Sequence, residues 1–149
     1  MIHIYTDGGC SGNPGPGGWA YVIVEKGESG DSVTAEKWGG EKNTTNNRME
    51  LLAVINALKA AKSFPVPQLA LYTDSQYVQK GITEWIHNWK RNNWRTSGKT
   101  PVKNQDLWVE LDALAAALSI QWVWVKGHAG NTYNERCDAL TQEAIAFVR

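Results

Sequence analysis

The fold is decided by the stretch IHIYTD, residues 2–7, and by its partial repetition later in the chain. Its last three residues, Tyr-Thr-Asp, return at residues 72–74, directly after a second apolar run at residues 69–71. Both runs are rich in strand-forming residues without polar alternation, which is typical of parallel strands covered on both faces. The sequence therefore predicts two buried strands that each end in a carboxylate, Asp7 and Asp74.

The two strand ends predict a cation site. If the strands are parallel neighbours, Asp7 and Asp74 lie about 5 Å apart, which is the spacing between adjacent strands. Like charges at that distance repel, and a divalent cation offsets the repulsion at the edge where α/β sheets bind ligands. The alternative is structural: Asp7 begins a turn, and Asp74 caps a helix that starts at Ser75.

Length and composition set the broad class. A chain of 149 residues with 42% hydrophobic residues is predicted to form one globular domain, residues 1–149, with a substantial core. Fifteen Lys and Arg balance fifteen Asp and Glu, so attraction to a polyanion requires segregated charge. The two cysteines lack C-x-x-C spacing and no apolar run reaches the length of a membrane span, which predicts a reduced, cytoplasmic protein without a membrane partner. The first strand begins at Ile2, so no N-terminal leader is expected.

Glycine and proline divide the chain. Residues 8–18 are so rich in both that we expect a loop that brings backbone close to another part of the molecule. The element order βββαβαβα, with right-handed crossovers, predicts an α/β fold: a mixed five-stranded sheet of three antiparallel strands then two parallel ones, with the first strand central and helices on both faces. The expected elements are strands at 2–7, 19–24 and 33–40, a helix at 44–62, a strand at 69–74, a helical segment at 75–89, a helix opened by Asn104, a strand at 120–125 and a last helix capped by Asn134.

Two further carboxylates fall where this topology points toward the same edge. Glu50 lies early in the first helix and Asp138 early in the last. Oxygen ligands without a matching set of His and Cys favour Mg²⁺ or Mn²⁺, and a two-ion site of this kind suits displacement at phosphorus. Acidic residues in first helical turns are also ordinary partners of the helix dipole, so each one taken singly has a structural interpretation.

Four long motifs occur in order along the chain. They are YTDGGCSGNPGPGG (5–18), TTNNRME (44–50), YTDSQYV (72–78), and VKGHAG (125–130) followed by NERCD (134–138). Together they resemble the motifs of bacterial ribonuclease H type 1 over the whole chain. The resemblance implies the ribonuclease H-like fold, which agrees with the topology predicted above.

The resemblance also implies an activity, the hydrolysis of the RNA strand of RNA–DNA hybrids. Asp7, Glu50, Asp74 and Asp138 match the metal-binding carboxylates of that family, and His128 matches a loop histidine that assists proton transfer or product release. Two Mg²⁺ ions, or Mn²⁺ as a substitute, would act with substrate bound. One would generate the attacking hydroxide and the other would stabilise the leaving 3′ oxygen, which leaves 5′-phosphate and 3′-hydroxyl ends.

Selectivity for a hybrid requires a sensor of the 2′-hydroxyl on one strand and of its absence on the other. By resemblance, four residues lie beside the hybrid: Cys10, Asn13, Asn47 and Gln76. Thr45 and Asn46 lie at a helix N-terminus, whose free backbone N–H groups are expected to bind a DNA phosphate. Helix capping alone also accounts for Asn46 and Asn47, and the two roles are compatible.

The required segregated charge occurs between residues 86 and 105, which we call the basic handle. It contains no acidic residue, and its basic residues are Lys90, Arg91, Arg95, Lys99 and Lys103. Trp89 and Trp94 are interleaved with them, and exposed aromatic rings among basic residues suit a nucleic-acid backbone. The resemblance places a DNA-gripping segment here. The alternative is that tryptophans belong to the core, which we favour for Trp85, Trp122 and Trp124.

Two other functions remain open at this stage: a DNA-cutting nuclease of the same broad superfamily, and a non-catalytic module that binds hybrid. The handle and the Thr-Asn-Asn motif argue against the first, and the clustered acids argue against the second. We expect a monomer, and the sequence identifies no protein partner.

Overall fold

The structure, a computed structural model, describes residues 1–64, 68–96, 98–125 and 132–149. The strands are β1 (Ile2–Cys10), β2 (Gly15–Gly27), β3 (Gly30–Thr44), β4 (Leu69–Thr73) and β5 (Ile120–Trp124). The helices are α1 (Asn46–Ala61), α2 (Gln76–Lys80), α3 (Ile86–Arg91), α4 (Gln105–Ala116) and α5 (Thr132–Val148), and a π-helical turn, Gly81–Trp85, joins α2 to α3. Among the helices in these ranges, none has the length and apolar character needed to cross a bilayer.

The sheet confirms the predicted topology. Its strand order is β3-β2-β1-β4-β5, so β1 is central. The pairs β3–β2 and β2–β1 are antiparallel, whereas β1–β4 and β4–β5 are parallel. A strand that pairs in parallel with its neighbour needs a crossover connection. Here α1 connects β3 to β4 and so brings β4 alongside β1 in the parallel direction.

Helices cover both faces of the sheet, because successive strand residues point to opposite sides. Ile2 and Ile4 belong to the core cluster that includes residues of α1 and α4. Tyr5 belongs to a second cluster, in which Cys137 and Leu140 of α5 lie against β1 and β2. Both faces of the central strand are therefore buried, as the lack of polar alternation predicts.

The glycine-rich stretch is a correction to the prediction. We expected a loop over residues 8–18, but β1 continues to Cys10 and β2 begins at Gly15. A Cβ on Gly8 would lie 2.5 Å from the carbonyl carbon of Met49, and one on Gly18 would lie 2.6 Å from Cβ of Ala144. These glycines therefore serve strands over which α1 and α5 pack closely, and the expectation of a close backbone approach was right.

Three element boundaries also differ from the prediction. The strand expected at 33–40 is the longer β3, and the helical segment expected at 75–89 is interrupted by the π-helical turn. A Cβ on Gly81, the first residue of that turn, would lie 1.9 Å from the ring of Trp108, so packing against α4 requires glycine there. Asn134 does not precede the last helix; it is buried in the first turn of α5.

Candidate active site

Asp7 and Asp74 lie at matching positions of adjacent strands. The parallel register pairs Ile2 with Leu69 and Tyr5 with Tyr72, and the same offset continued by two residues aligns the two acids. Asp7 is 9% exposed, and Asp74 follows the last residue of β4 directly. The Thr6 hydroxyl donates a hydrogen bond of 3.0 Å to the Tyr72 carbonyl, which ties the two strand ends together.

Glu50 reaches this edge because α1 crosses β1 at a glycine. The Thr45 side chain caps the helix by accepting a hydrogen bond of 3.3 Å from the Arg48 amide. The backbone nitrogen of Glu50, five residues after Thr45, lies 2.6 Å from where a Gly8 Cβ would stand. The Ser75 hydroxyl donates a hydrogen bond to Oε2 of Glu50.

Asp74 acts electrostatically on Glu50 at this edge. Burial, and then the negative charge of Asp74, raises the pKa of Glu50, while the hydrogen bond from Ser75 acts in the opposite direction. A raised carboxyl pKa means that the ionised form is disfavoured there. A cation bound between these carboxylates would offset that penalty.

Asp138 is brought toward the same edge by α5. Its neighbour Cys137 is buried, and the Cys137 thiol donates hydrogen bonds of 3.5 Å to the Tyr5 carbonyl and 3.3 Å to the Ala20 carbonyl. Burial, followed by the negative charges of Asp7, Asp138, Asp74 and Glu36, raises the pKa of this thiol well above its ordinary value. Asp7 and Asp74 therefore act electrostatically on the residue next to Asp138.

The predicted donors fit Mg²⁺ in their chemistry, since carboxylate oxygens are the ligands that Mg²⁺ prefers. Within the described ranges, no three His, Cys, Asp or Glu side chains are grouped closely enough to form a ready-made metal site. The assignment of Asp7, Glu50, Asp74 and Asp138 as the metal ligands therefore stays a prediction. His128 lies at 126–131, outside the described residues.

Three of the predicted hybrid-contacting residues lie near the corner where β1, β2 and α1 meet: Cys10, Asn13 and Asn47. The half-buried Cys10 thiol donates to the carbonyls of Gly15 and Thr44, both at 3.3 Å, so it also holds this corner together. The backbone N–H of Asn46, which we expected to be free for a phosphate, donates a hydrogen bond of 3.1 Å to Oδ1 of Asn13. This is a correction: the short loop after β1 folds over the helix N-terminus and occupies that donor. Asn47 and Gln76 are exposed.

A polar groove beside the helix N-terminus contains residues that sequence reasoning missed. Its volume is about 420 Å³, and it is lined by Asn13, Thr45, Asn47, Tyr77, Lys103 and Asn104. Tyr77 and Asn104 were not among the predicted site residues. The Tyr77 hydroxyl oxygen accepts hydrogen bonds from the indole of Trp108 at 2.9 Å and from the Asn104 amide at 3.3 Å.

In the sequence, the contact between Tyr77 and Asn104 is indicated only by the residue type at position 104. Its φ is +57°, in the left-handed region that Asn tolerates better than most residues, and its side chain does not cap α4. The amide instead points toward Tyr77, a residue of α2.

The basic handle is exposed over most of its length. Arg91, Arg95 and Lys99 line an open surface pocket of about 570 Å³. Lys90 differs, because its ammonium lies 3.2 Å from the carboxylate of Asp112 in α4. Arg95, Lys99 and Lys103 are exposed, whereas the exposed Arg91 also donates to the side chain of Asn88.

The tryptophans of the handle are less exposed than we predicted. Trp89 and Trp94, expected to be exposed, are half-buried and pack against the main core, with ring centroids 6.3 Å apart. Trp85, for which we favoured the core, is half-buried between Tyr77 and Trp89, at centroid distances of 5.8 Å from each. Trp122 and Trp124 also pack against the core, as predicted, and stack on each other at 5.7 Å.

The fold and the site together define a class: a ribonuclease H-like α/β domain whose two central parallel strands align the acids Asp7 and Asp74. The sequence model of the RNase H family matches residues 1–146. The chain therefore belongs to the RNase H family, whose members are nucleases.

Comparisons with individual proteins agree with this assignment. The chain is 57% identical to the Ribonuclease H of Treponema denticola, over 96% of each chain. It is 56% identical to the Ribonuclease H of Aromatoleum aromaticum, over 100% of this chain and 93% of the relative. Among solved structures, LC9-RNase H1, a type 1 RNase H with the type 2 active-site motif, is similar with a TM-score of 0.85 and 32% identity, over 99% of this chain and 73% of that one. RNase H1 from Halobacterium salinarum has a TM-score of 0.69 and 32% identity, over 98% of each chain.

Proposed function

We propose that this protein hydrolyses the RNA strand of RNA–DNA hybrids with two Mg²⁺ ions, leaving 5′-phosphate and 3′-hydroxyl ends. The observation that carries the proposal is the alignment of Asp7, in β1, with Asp74, directly after β4, with Glu50 of α1 packed beside β1. Membership in the RNase H family supports the reaction class.

The side chains have separate roles in this proposal. Asp7, Glu50, Asp74 and Asp138 would hold the ions, which supply an activated water and stabilise the charge of the leaving oxygen. The burial of Asp7 limits solvent access, which strengthens electrostatic interactions at the reacting phosphate. His128 keeps the role that the resemblance implies, that of a proton carrier.

Substrate contacts would lie on one side of the acidic edge. The polar groove lined by Thr45, Lys103 and Asn104 offers donors suited to a DNA phosphate. The basic handle would bind the same strand further along through Arg95 and Lys99. The 2′-hydroxyls of the RNA strand would be contacted by the remaining predicted residues, Cys10, Asn13, Asn47 and Gln76.

The test is cleavage of labelled RNA–DNA hybrid, duplex DNA and duplex RNA, with Mg²⁺ and with chelator. We expect cleavage of RNA in the hybrid alone, only with Mg²⁺, and its loss in Asp7→Asn. Glu28→Gln, which removes a negative charge from the exposed turn between β2 and β3, is the matched control and should cleave like the parent.

The outcomes separate the three candidate functions. Cleavage of duplex DNA at a rate similar to that of hybrid would indicate a DNA nuclease. Tight binding of hybrid without any cleavage would indicate a binding module. Activity of Asp7→Asn within tenfold of the parent would overturn the metal assignment.

A further inference from the structure

One buried hydroxyl connects three elements of the candidate site. Ser75 is 4% exposed and follows Asp74 directly. Its hydroxyl oxygen accepts a hydrogen bond of 3.1 Å from the Val78 amide, which caps α2, and its own amide donates at 3.1 Å to the Thr73 hydroxyl. The same hydroxyl donates to Oε2 of Glu50 in α1.

The direction of the bond to Glu50 is set by the chemistry of a hydroxyl group. A serine hydroxyl has one proton to donate, and the Val78 N–H occupies an acceptor lone pair on the Ser75 oxygen. The proton is therefore directed to the Glu50 carboxylate, which is acceptor-only when ionised. Hydrogen bonds to a charged acceptor are the stronger kind, so this one restricts the rotation of the carboxylate.

We propose that Ser75 is a positioning residue: it holds Oε2 of Glu50 so that the other carboxylate oxygen is available to Mg²⁺. This inference rests on the proposed function, because it takes Glu50 as a metal ligand. The bond joins the N-cap of α2, one residue after Asp74, to α1, so it also holds Asp74 and the Glu50 helix in one arrangement. Partners that orient metal ligands typically matter about 10–100-fold for metal affinity.

Three substitutions separate positioning from helix capping. Ser75→Gly removes the hydroxyl donor, yet Gly is nearly as good a helix cap as Ser. Ser75→Ala removes both the donor and the cap, whereas Ser75→Thr retains both. Each variant and the parent are titrated with Mg²⁺, first without substrate, by the shift in the urea midpoint of unfolding, and then by cleavage of hybrid.

We expect Ser75→Gly and Ser75→Ala to require about 10–100-fold more Mg²⁺ for half of the maximal stabilisation and half of the maximal activity, with Ser75→Thr restoring both toward the parent. The affinity for hybrid in chelator should be unchanged in all three. If Ser75→Ala does not fold, the comparison of Gly with Thr carries the test.

A Gly variant with the Mg²⁺ requirement of the parent would overturn the inference, because the hydroxyl would then act only as a cap. If the parent cleaves hybrid and is stabilised by Mg²⁺, that outcome for the Gly variant leaves the proposed function intact. A parent that neither cleaves hybrid nor gains stability from Mg²⁺ would overturn the proposed function, and this inference with it.

Discussion

Removing one carboxylate from the acidic edge should stabilise the metal-free protein. Asp7 is 9% exposed and is aligned with Asp74 in the parallel register, and the charge of Asp74 acts on Glu50 as well. The unfolded chain keeps these acids far apart, so their repulsion is a cost of the folded state alone. Asp7→Asn removes a negative charge from this edge while keeping nearly the same shape.

The magnitude follows from the strand geometry. Adjacent strands are about 5 Å apart, and carboxylates that diverge from them slightly are separated by about 6 Å. Coulomb's law with an effective dielectric constant of about 20 gives about 3 kcal/mol for one such pair. Asp74 is half-buried, so solvent screening reduces the figure, and we expect Asp7→Asn to be more stable than the parent by about 1–2 kcal/mol.

The advantage should depend on pH. The pKa of Glu50 is raised in the folded state, first by burial and then by Asp74. For a carboxyl with a raised folded pKa, the destabilisation is absent below its unfolded pKa and grows as the pH rises through its folded pKa. Repulsion between Asp7 and Asp74 likewise requires both carboxylates to be ionised. The gain from Asp7→Asn should therefore be largest at neutral pH and should shrink in acid, as the carboxylates become protonated.

The assay is urea unfolding of both proteins at acidic and neutral pH, in chelator and then in Mg²⁺. Mg²⁺ should stabilise the parent more than Asp7→Asn, because only the parent retains the full ligand set. Glu28→Gln again controls for the loss of one charge from the whole molecule. If Asp7→Asn is no more stable than the parent in chelator at neutral pH, the acids are not crowded in the way that the register implies.

Two further predictions concern the substrate side. Replacing Lys90, Arg91, Arg95 and Lys99 together by Ala should weaken hybrid binding. In titrations at several salt concentrations, the slope of log binding constant against log salt concentration should fall by about one unit or less for each lost phosphate contact. An unchanged slope would show that the handle does not contact the hybrid. Asn104→Gly keeps a residue suited to the positive φ but removes the amide, so hybrid affinity should fall, and urea stability should fall by about 0.5–1.5 kcal/mol for the lost bond to Tyr77. Asn104→Ala should lose a further amount of about 1–2 kcal/mol, because Ala does not suit the positive φ; equal hybrid affinity in all three proteins would exclude a substrate role for the amide.

Much of the architecture could be predicted because it is written in local patterns. The repeated Tyr-Thr-Asp after two apolar runs predicted parallel neighbours, and the register that aligns Asp7 with Asp74 confirms that pairing. The change from strand to helix at residues 44–50 predicted where α1 begins, since Thr45 provides the cap. These features depend on backbone preference and on the alternation of side chains, which neighbouring residues determine.

Local patterns were misleading where a glycine or a tryptophan packs against a residue that is distant in the sequence. The stretch after Asp7 has the composition of a loop, yet Gly8 lies in a strand because the backbone of Met49 passes against it. Trp89 has the setting of an exposed aromatic residue among cations, yet it packs against Trp108 with ring centroids 5.4 Å apart. In both cases the deciding contact is made by a residue far away in the chain.

The sequence by itself determined the strand order, the alignment of Asp7 with Asp74 and the family resemblance, because each depends on the identity and spacing of nearby residues. It placed the end of the first strand at Asp7, whereas β1 continues to Cys10. Only the tertiary structure decided that the Asn46 amide is taken by Asn13, that Tyr77 and Asn104 share a groove, and that Ser75 holds Glu50. Each of these contacts joins residues at least 25 positions apart. Hydrogen-bond partners at that separation are set by how helices pack on the sheet, which the pattern of any one segment does not specify.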